Sequence, residues 1–253
     1  MDNDKILSIS VISHRQIELV SPLLANIAAY SNSKAVECIL TLNLQEELPF
    51  DPDSFPFPIR VLHNASPQGF GANHNQAFRE AQGRFFCVLN PDVRLSDDVF
   101  KPLIRVLGED ERIGLVAPKI VNLEDAVEDS ARRFPTPLEI FGKTFGGRSS
   151  AYKDDEQPVS FPDWVAGMFM MFPRNVFEQI GGFDERYFLY YEDVDICARL
   201  RLAGYRVALC RDVSVMHDAR RTSHRNLRYA LLHLSSIFRF FLSPVYRQLR
   251  SRK

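Results

Sequence analysis

Acidic residues stand at two places in the chain where an enzyme could use them. The first is Asp92 in the triplet Asn90-Pro91-Asp92, which follows the apolar run Phe85–Leu89. A strand that is apolar on both sides is typical of the centre of a covered parallel sheet, and ligands of such sheets bind beyond the carboxyl ends of the strands. Asp92 is therefore a candidate catalytic carboxylate, although Asn-Pro-Asp is also common in ordinary turns.

The second place is the start of a predicted helix. Glu192, Asp193 and Asp195 stand in its first turn, where acidic side chains stabilise a helix through its dipole. That role alone would explain them. Because adjacent residues of a helix face different directions, Glu192 and Asp193 could also divide a reaction, one orienting a ligand and the other acting as a base.

A histidine and a group of arginines come late in the chain. His217 ends the last predicted strand, and Arg220, Arg221 and Arg225 follow it. A lone histidine is more often structural, but beside three arginines it is typical of a phosphate or metal–phosphate site. Residues 68–75, Gln-Gly-Phe-Gly-Ala-Asn-His-Asn, precede a predicted helix and could bring backbone close to a ligand, but they match neither a Walker loop nor a G-x-G-x-x-G fingerprint.

The elements that would position these residues alternate between strands and helices, which predicts a Rossmann-like α/β sheet. In the first half the pattern predicts strands at 6–12, 36–42, 59–62, 85–89 and 115–121, and helices at 16–30, 73–81 and 99–107. A segment rich in proline, glycine and serine follows at 122–162. The second half then contains an apolar segment at 164–172, helices at 175–180 and 192–203, and two short strands at 207–210 and 213–216.

Composition places the chain among ordinary globular proteins. Its 253 residues are 45% hydrophobic and 25% charged, which predicts one large domain or one domain with an appendage and excludes disordered, collagen-like and coiled-coil classes. The four cysteines have no paired spacing, and three lie in apolar runs, which is typical of buried thiols in a reducing cytoplasm. The first residues lack a signal-peptide pattern, and no apolar run approaches the roughly 18 residues of a spanning helix.

The net charge of −1 conceals an asymmetry between the body and the C-terminal segment. Residues 199–253 contain 13 lysine and arginine residues and two acidic residues, whereas the rest of the chain contains 18 lysine and arginine residues and 30 acidic residues. A basic segment on an acidic body predicts an anionic partner such as a phosphorylated ligand, a nucleic acid or a lipid surface. Nucleic acid is the weakest of these candidates because the segment has no recognisable nucleic-acid-binding fold.

The C-terminal segment also has an amphipathic pattern. Five apolar residues recur at spacings of four and three, as on one face of a helix: Leu227, Leu231, Leu234, Phe238 and Phe241. Two explanations stay open. This face covers the protein core or forms a homodimer seam, or it rests on an anionic membrane with the arginines around it.

Taken together, four segments resemble the family-2 glycosyltransferases with a GT-A fold, especially the bacterial rhamnosyltransferase-like branch. These are PQGFGANHNQAF, FFCVLNPDV, SARRFPTP and the long block from DWVAGMFMMF to RDVSVMH. The resemblance implies a mostly parallel mixed sheet flanked by helices over residues 1–218. Its donor half would span about 1–121 and its acceptor and catalytic half about 160–218, with a basic amphipathic helical extension at 219–253.

The resemblance also implies roles for individual residues. Asp92 would hold Mg²⁺ or Mn²⁺ against the donor diphosphate, and His217 would complete the metal site. Asp193 would be the general base, with Glu192 as its neighbour in the motif. The acceptor side would be lined by Trp164 and Gly167, and the donor would be bound by Ser13, His14, Asn43, Gly69, Asn75, Asn90, Arg220, Arg221 and Arg225.

The implied activity is an inverting, metal-dependent transfer of a sugar from a nucleotide-diphospho-sugar to a bacterial surface glycan, lipid-linked or on a lipopolysaccharide core. The expected donor is dTDP-rhamnose first and a UDP- or GDP-sugar second. The enzyme is expected in the cytoplasm, at the inner face of the membrane through its C-terminal helix. Two alternatives stay open. The first is a nucleotidyltransferase or a retaining transferase on a similar fold, and the second is a non-catalytic or partner-dependent relative. The second is motivated by His14 and Leu42-Asn43, which differ from the usual residues near the nucleobase.

Overall fold

A mixed β-sheet of nine strands forms the centre of the protein. The computed structural model describes residues 6–144, 157–218 and 227–251, so the expectations for Arg220, Arg221 and Arg225 fall outside the described residues. The sheet contains β1 (Leu7–Ser13), β2 (Val36–Leu42), β3 (Ile59–His63), β4 (Phe85–Leu89), β5 (Val93–Arg94), β6 (Ile113–Val121), β8 (Val159–Ser160), β10 (Phe169–Pro173) and β11 (Arg206–His217). A separate ribbon pairs β7 (Ala131–Arg132) with β9 (Trp164–Val165).

The strand order is β3-β2-β1-β4-β10-β6-β11-β5, and β8 pairs with β11 beside this path. The first four strands of this order are parallel, as are β6 and β11, whereas β10 runs antiparallel to β4 and β6. Short β5 pairs antiparallel with the end of β11, where Val93 lies opposite His217. This pairing brings the turn that carries Asp92 to the end of β11. The sheet confirms the expected mostly parallel α/β architecture.

Helices cover both faces of this sheet. They are α1 (Ile17–Tyr30), α2 (Phe70–Glu80), α3 (Phe100–Glu109), α4 (Pro137–Thr144), α5 (Arg174–Gln179), α6 (Glu192–Leu202), α7 (Leu227–Leu242) and α8 (Pro244–Ser251). Side chains of the central strands alternate between two buried clusters. In β4, for example, Cys87 and Leu89 join the cluster that includes α1 and α3, while Phe86 and Val88 join the cluster that includes α2, α5 and α6. Burial on both sides explains why these strands are apolar throughout.

Some elements differ from the sequence pattern. The two strands predicted at 207–210 and 213–216 are one strand, β11, in which the register against β6 shifts between Cys210 and Ser214. The polar residues at this irregularity break the apolar run that identifies a strand. Helix α2 begins at Phe70, three residues before the predicted start. All four cysteines are free and buried, which confirms the expectation for those in apolar runs.

The C-terminal helices pack on the same core as the sheet. Phe240, Tyr246 and Leu249 are buried in the cluster that contains α6, and the Ser236 hydroxyl donates a hydrogen bond of 2.8 Å to the Leu189 carbonyl. One face of α7 therefore covers the core, as one of the two explanations required. Among the described residues, no helix has both the length and the apolar character needed to cross a membrane.

A second face of α7 carries an exposed apolar stripe, which consists of Leu227, Leu231, Leu234, Phe238 and Leu242. These side chains are between 48% and 75% exposed. The expectation that Phe241 belongs to this face is wrong, because its ring packs against Tyr246 with the centroids 4.9 Å apart.

Candidate active site

Two neighbouring cavities open at the carboxyl ends of the strands. The smaller, of about 250 Å³, is called the strand-end cavity and is lined by the ends of β1, β2 and β4 and the start of α2. The larger, of about 630 Å³, is called the aromatic cavity and is lined by β9, the start of α6 and one side of α7. Phe70, Asn90 and Leu189 line both cavities. A ligand that fills one cavity would therefore contact the walls of the other.

Asn43 fixes the loop that forms one wall of the strand-end cavity. Its side-chain oxygen accepts hydrogen bonds from the Gln68 backbone amide at 2.7 Å and from the Asn64 side chain at 2.9 Å. Its side-chain nitrogen lies 3.0 Å from both the Gln68 carbonyl oxygen and Nδ1 of His14. The amide therefore ties the end of β2 to the loop before α2. Asn43 and His14 both line this cavity, where the resemblance implies donor binding.

Three of the expected donor-binding residues have other structural roles. The buried Ser13 hydroxyl donates to the Glu46 carboxylate, which also accepts the backbone amides of Arg15 and Ile17. Ser13 therefore holds the turn after β1 and is not among the residues that line the strand-end cavity. Gly69 is likewise outside the lining. A Cβ atom there would lie 2.8 Å from the Phe188 carbonyl oxygen, so glycine permits a close approach of two backbones.

Asn75 is the third of these residues. Its side chain donates to the Phe183 carbonyl at 2.9 Å and accepts from the Phe183 amide at 2.9 Å. It also donates to the Glu185 carboxylate at 3.0 Å. Both ends of the amide are used to fasten α2 to the loop after α5, and Asn75 lines neither cavity. The sequence pattern gave no means of telling this buried tie from a ligand contact.

A cluster of three ionisable side chains borders the strand-end cavity. Nε2 of His217 lies 3.3 Å from Oδ2 of Asp92, and Nδ1 of His217 lies 2.9 Å from Oε2 of Glu128. The other oxygen of Asp92, Oδ1, is buried and has no hydrogen-bond partner among the described residues. Burial lowers the pKa of His217, but the hydrogen bonds and charges of Asp92 and Glu128 outweigh burial and raise it overall.

This cluster fits a divalent cation that is shared with a ligand. The free oxygen of Asp92 and the nearby imidazole of His217 are suitable ligand atoms, and a carboxylate on the other imidazole nitrogen is the usual support of a metal-binding histidine. Within the described residues no set of three or more histidine, cysteine or acidic side chains is arranged to hold a metal. The protein would therefore supply two ligands, as is common where substrate phosphates and water complete the coordination of Mg²⁺.

Glu192 and Asp193 stand where the aromatic cavity meets the first turn of α6. The two preceding residues, Tyr190 and Tyr191, have φ angles of 70° and 67°, a left-handed conformation that is strained for bulky side chains. Oδ2 of Asp193 accepts the Gly167 amide at 3.2 Å, and Oδ1 accepts the Val194 amide at 2.8 Å. The carboxylate is thereby held at the cavity wall between α6 and the β9–β10 connection.

Burial raises the pKa of both adjacent carboxyls. Burial raises the pKa of Asp193 to about 6, against the opposing effect of the Val194 and Gly167 amides and the Arg132 charge. Burial, with the charge of Asp193, raises the pKa of Glu192 well above its usual range. Oε2 of Glu192 is buried without a described partner. The charge of Asp193 therefore disfavours ionisation of Glu192, so the two adjacent carboxyls do not readily carry a negative charge together.

Trp164 and Gly167, the expected acceptor-side residues, both line the aromatic cavity. Nε1 of Trp164 donates a hydrogen bond of 3.0 Å to the Arg133 carbonyl, which fixes the indole on the ribbon. Phe70, Tyr190 and Tyr191 contribute further aromatic surface. The cavity combines aromatic walls with the carboxylate of Asp193, an arrangement that can bind a sugar ring and take a proton from its hydroxyl group.

Sequence reasoning missed several residues at these cavities. Glu128 lies in a polar loop and is 89 positions from His217, so nothing in its spacing indicates the contact. Gln68 and Asn73 belong to the recognised glycine-containing segment, which could have suggested them. Tyr229 of α7 also lines the strand-end cavity, although its position in the amphipathic pattern predicts only a helix.

Comparison with known proteins identifies the family. A family model described as "Glycosyltransferase like family 2" matches residues 53–230, more than half of the chain. This protein belongs to glycosyltransferase family 2. Rhamnosyltransferase WbbL of Escherichia coli (strain K12) is 30% identical over 204 residues, which cover 73% of this chain and 71% of that relative. The N-acetylglucosaminyl-diphospho-decaprenol L-rhamnosyltransferase of Mycobacterium tuberculosis (strain ATCC 25618 / H37Rv) is 30% identical over 151 residues, 55% of this chain and 48% of the relative.

Solved structures support the GT-A fold of this glycosyltransferase. GalNAc-T7 with UDP, GalNAc and Mn²⁺ matches with a TM-score of 0.71 at 15% identity, over 95% of this chain and 48% of that chain. The mannosyltransferase PcManGT from Pyrobaculum calidifontis, in complex with GDP-Man and Mn²⁺, matches with a TM-score of 0.62 at 14% identity. The match covers 93% of this chain and 65% of that chain. The family-2 protein studied here spans about half the length of GalNAc-T7 and of the mycobacterial relative. Family and fold together favour a glycosyltransferase over a nucleotidyltransferase.

The raised pKa of Asp193 predicts a cost to stability at neutral pH. A carboxyl whose pKa is higher in the folded state than its usual 3.8 binds its proton more tightly when the protein is folded. Its protonation therefore stabilises the folded state fully below about pH 4, and this stabilisation is lost as the pH rises through about 6. We expect Asp193→Asn to raise the free energy of unfolding by about 1–2 kcal/mol at pH 8 and to have little effect at pH 4. Denaturant unfolding at the two pH values measures this. Asp212→Asn, at an exposed position of β11, is the matched control, and an equal stabilisation at both pH values would contradict the expectation.

Proposed function

We propose that this glycosyltransferase is an inverting enzyme that transfers a sugar from a nucleotide-diphospho-sugar to a hydroxyl group of a surface glycan. The observation that carries the proposal is the position of the Asp193 carboxylate, which two backbone amides hold at the aromatic cavity beside the strand-end cavity. The donor would occupy the strand-end cavity and the acceptor the aromatic cavity. Because Asn90 lines both cavities, the reacting groups would meet there.

In this mechanism Asp193 is the general base. Its carboxylate takes the proton of the acceptor hydroxyl while the acceptor oxygen bonds to the anomeric carbon and the bond from that carbon to the diphosphate oxygen breaks. An in-line displacement of this kind inverts the anomeric configuration. A base with a pKa of about 6 is ionised at neutral pH and is stronger than an ordinary aspartate. Because burial and the charge of Asp193 raise the pKa of Glu192, a second negative charge beside the base is disfavoured.

A divalent cation belongs to this proposal, with Asp92 and His217 as its protein ligands. Mg²⁺ or Mn²⁺ bound there would neutralise the negative charge of the departing nucleotide diphosphate. Glu128 would hold the His217 ring through Nδ1, so that Nε2 remains directed toward Asp92. Arg220, Arg221 and Arg225 follow in the sequence, and we propose that they add positive charge for the same diphosphate.

The relatives suggest the donor and the acceptor class. Two are named as rhamnosyltransferases, and one of these names specifies an acceptor sugar on a diphospho-decaprenol lipid. We therefore propose dTDP-rhamnose as the first donor to test, followed by UDP- and GDP-sugars, and a lipid-linked cell-envelope glycan as the acceptor. The reaction would take place on the cytoplasmic side of the membrane.

We further propose that the exposed stripe of α7 contacts an anionic membrane. The helix has 16 residues and a length of about 24 Å, and its five stripe residues have no core to cover. Between Leu227 and Ser251 the chain has four arginines and no acidic residue. An apolar stripe among arginines suits the interface of an anionic bilayer, where apolar burial and charge attraction add together.

Asp193→Asn tests the proposed base. We expect transfer to fall by at least about 100-fold, since the amide cannot accept the proton, while donor binding stays unchanged. Product formation and thermal stabilisation by the donor measure the two effects separately. In the unchanged protein the rate should fall as the pH drops below about 6. Asp212→Asn should behave like the unchanged protein. Transfer that survives in Asp193→Asn would show that another group is the base.

Thermal stabilisation by nucleotides tests the cation site. We expect dTDP, UDP or GDP to raise the melting temperature further when Mn²⁺ is present, because ligand binding stabilises the folded state. Asp92→Asn should remove this metal-dependent increment. Glu128→Ala should lower the affinity for the metal by about 10- to 100-fold and so reduce this increment, and Glu128→Gln should lower the affinity less. Glu124→Gln, an exposed acid of the same loop, is the control. A metal effect that is unchanged in Asp92→Asn would refute the ligand assignment.

Vesicle binding tests the membrane contact. The protein should sediment together with phosphatidylglycerol vesicles. The double variant Leu231→Ser, Phe238→Ser should bind the vesicles at least about tenfold more weakly, because two apolar side chains no longer enter the membrane interface. Salt should weaken the binding. Leu138→Ser, at an exposed leucine of α4, is the matched control. Equal binding by the double variant, or self-association through the stripe in sedimentation velocity, would contradict the proposal.

A further inference from the structure

Two consecutive arginines that have no part in the proposed mechanism line the aromatic cavity. Arg132 and Arg133 belong to the ribbon of β7 and β9, in which Arg132 lies directly opposite Trp164. The guanidinium carbon of Arg132 lies 5.5 Å from the centre of the Trp164 ring. The charge of Arg132 also lowers the pKa of Asp193, which indicates that this guanidinium is near the base. Both cations therefore stand on the wall that an acceptor would contact.

The two arginines differ in their partners. Nε of Arg132 lies 2.9 Å from the Asp129 carboxylate, and one of its terminal nitrogens donates to the Asp129 carbonyl at 3.1 Å. Arg133 is exposed, and its guanidinium makes neither an ion pair nor a hydrogen bond with any described residue. Its backbone carbonyl is held by the Trp164 indole, so the start of the side chain is fixed beside the cavity.

Among the described residues, no acidic side chain that lines the cavity forms an ion pair with Arg133. Glu139 accepts hydrogen bonds from the Thr136 amide at 2.9 Å and from its hydroxyl at 3.0 Å, at the start of α4. Glu192 is buried, and Asp193 is held by the Gly167 and Val194 amides. A cation without a partner at the edge of an aromatic cavity is available to a ligand.

We infer that Arg133, supported by Arg132, forms a subsite for an anionic group of the acceptor, either a phosphate ester or a carboxylate. A neutral sugar needs only the aromatic walls and hydrogen-bonding groups of the cavity. An acidic substituent would add a charge-assisted hydrogen bond to the planar guanidinium, which suits both phosphate and carboxylate. The inference rests on the proposed function insofar as the ligand is an acceptor, but binding to the subsite requires no transfer.

The single tryptophan of the chain allows a direct test, because Trp164 lines this cavity and its fluorescence reports binding. The probes are methyl α-glucoside, glucose 1-phosphate and methyl glucuronoside, which share a sugar ring and differ in charge. We expect the protein to bind an anionic probe at least about tenfold more tightly than the neutral one. The preferred anionic probe distinguishes a phosphate from a carboxylate.

Variants identify the residue responsible. Arg133→Gln should abolish the preference for the anionic probe and leave binding of the neutral probe unchanged, whereas Arg133→Lys should retain part of the preference. Arg105→Gln, at an exposed arginine of α3, should behave like the unchanged protein. Equal affinity for charged and neutral probes in the unchanged protein, or a preference that survives in Arg133→Gln, would overturn the inference.

The same proteins separate this inference from the proposed function. If sugar transfer to a neutral acceptor proceeds but no anion preference exists, only the subsite is refuted. If Trp164 fluorescence reports the anion preference while transfer from every nucleotide sugar is absent, the subsite stands and the proposed function fails.

Discussion

Burial of the central strands on both faces is the constraint on which the site depends. The apolar residues of β2, β4 and β10 face two separate clusters, so both surfaces of the sheet must be covered by helices. The polar side chains that line the strand-end cavity come from the ends of the strands. His14 and Asn43 directly follow β1 and β2, and Asp92 stands in the turn between β4 and β5. The antiparallel pairing of β5 with β11 adds His217 to this edge.

The start of α6 places two buried carboxyls beside this edge, and their burial costs free energy of folding. Tyr190 and Tyr191 adopt a left-handed backbone, and the two carboxyls that follow are withdrawn from water. Each of these features opposes folding, whereas the buried apolar residues Val194, Ile196 and Leu200 of the same helix favour it. Packing of α6 therefore stabilises the arrangement that holds Asp193 at the cavity with a raised pKa. An exposed helix start would leave the same carboxyl with an ordinary pKa and a weaker affinity for protons.

The sequence predicts elements better than it predicts contacts. Apolar runs such as Phe85–Leu89 identified central strands, because burial on both sides leaves a pattern within a few residues. Asp92 and Asp193 could be found because they stand next to such patterns. Glu128 could not, because its role is defined by a contact with His217 across 89 positions. The contacts of Asn75 with Phe183 and Glu185 could not be predicted either, because a buried amide that fastens a helix to a loop and one that binds a ligand have the same local sequence.

Helix α7 connects the aromatic cavity to the outer surface of the protein. His233, Leu234 and Ile237 line the cavity, while Leu234 also belongs to the exposed stripe. The stripe therefore begins at the cavity and extends along the helix in both directions, to Leu227 and to Leu242. Under the proposed function, an acceptor sugar in the cavity would have its lipid next to the surface that contacts the membrane. Arg132 of β7 and Arg133, which follows this strand, line the same cavity, where a charged group between sugar and lipid would pass.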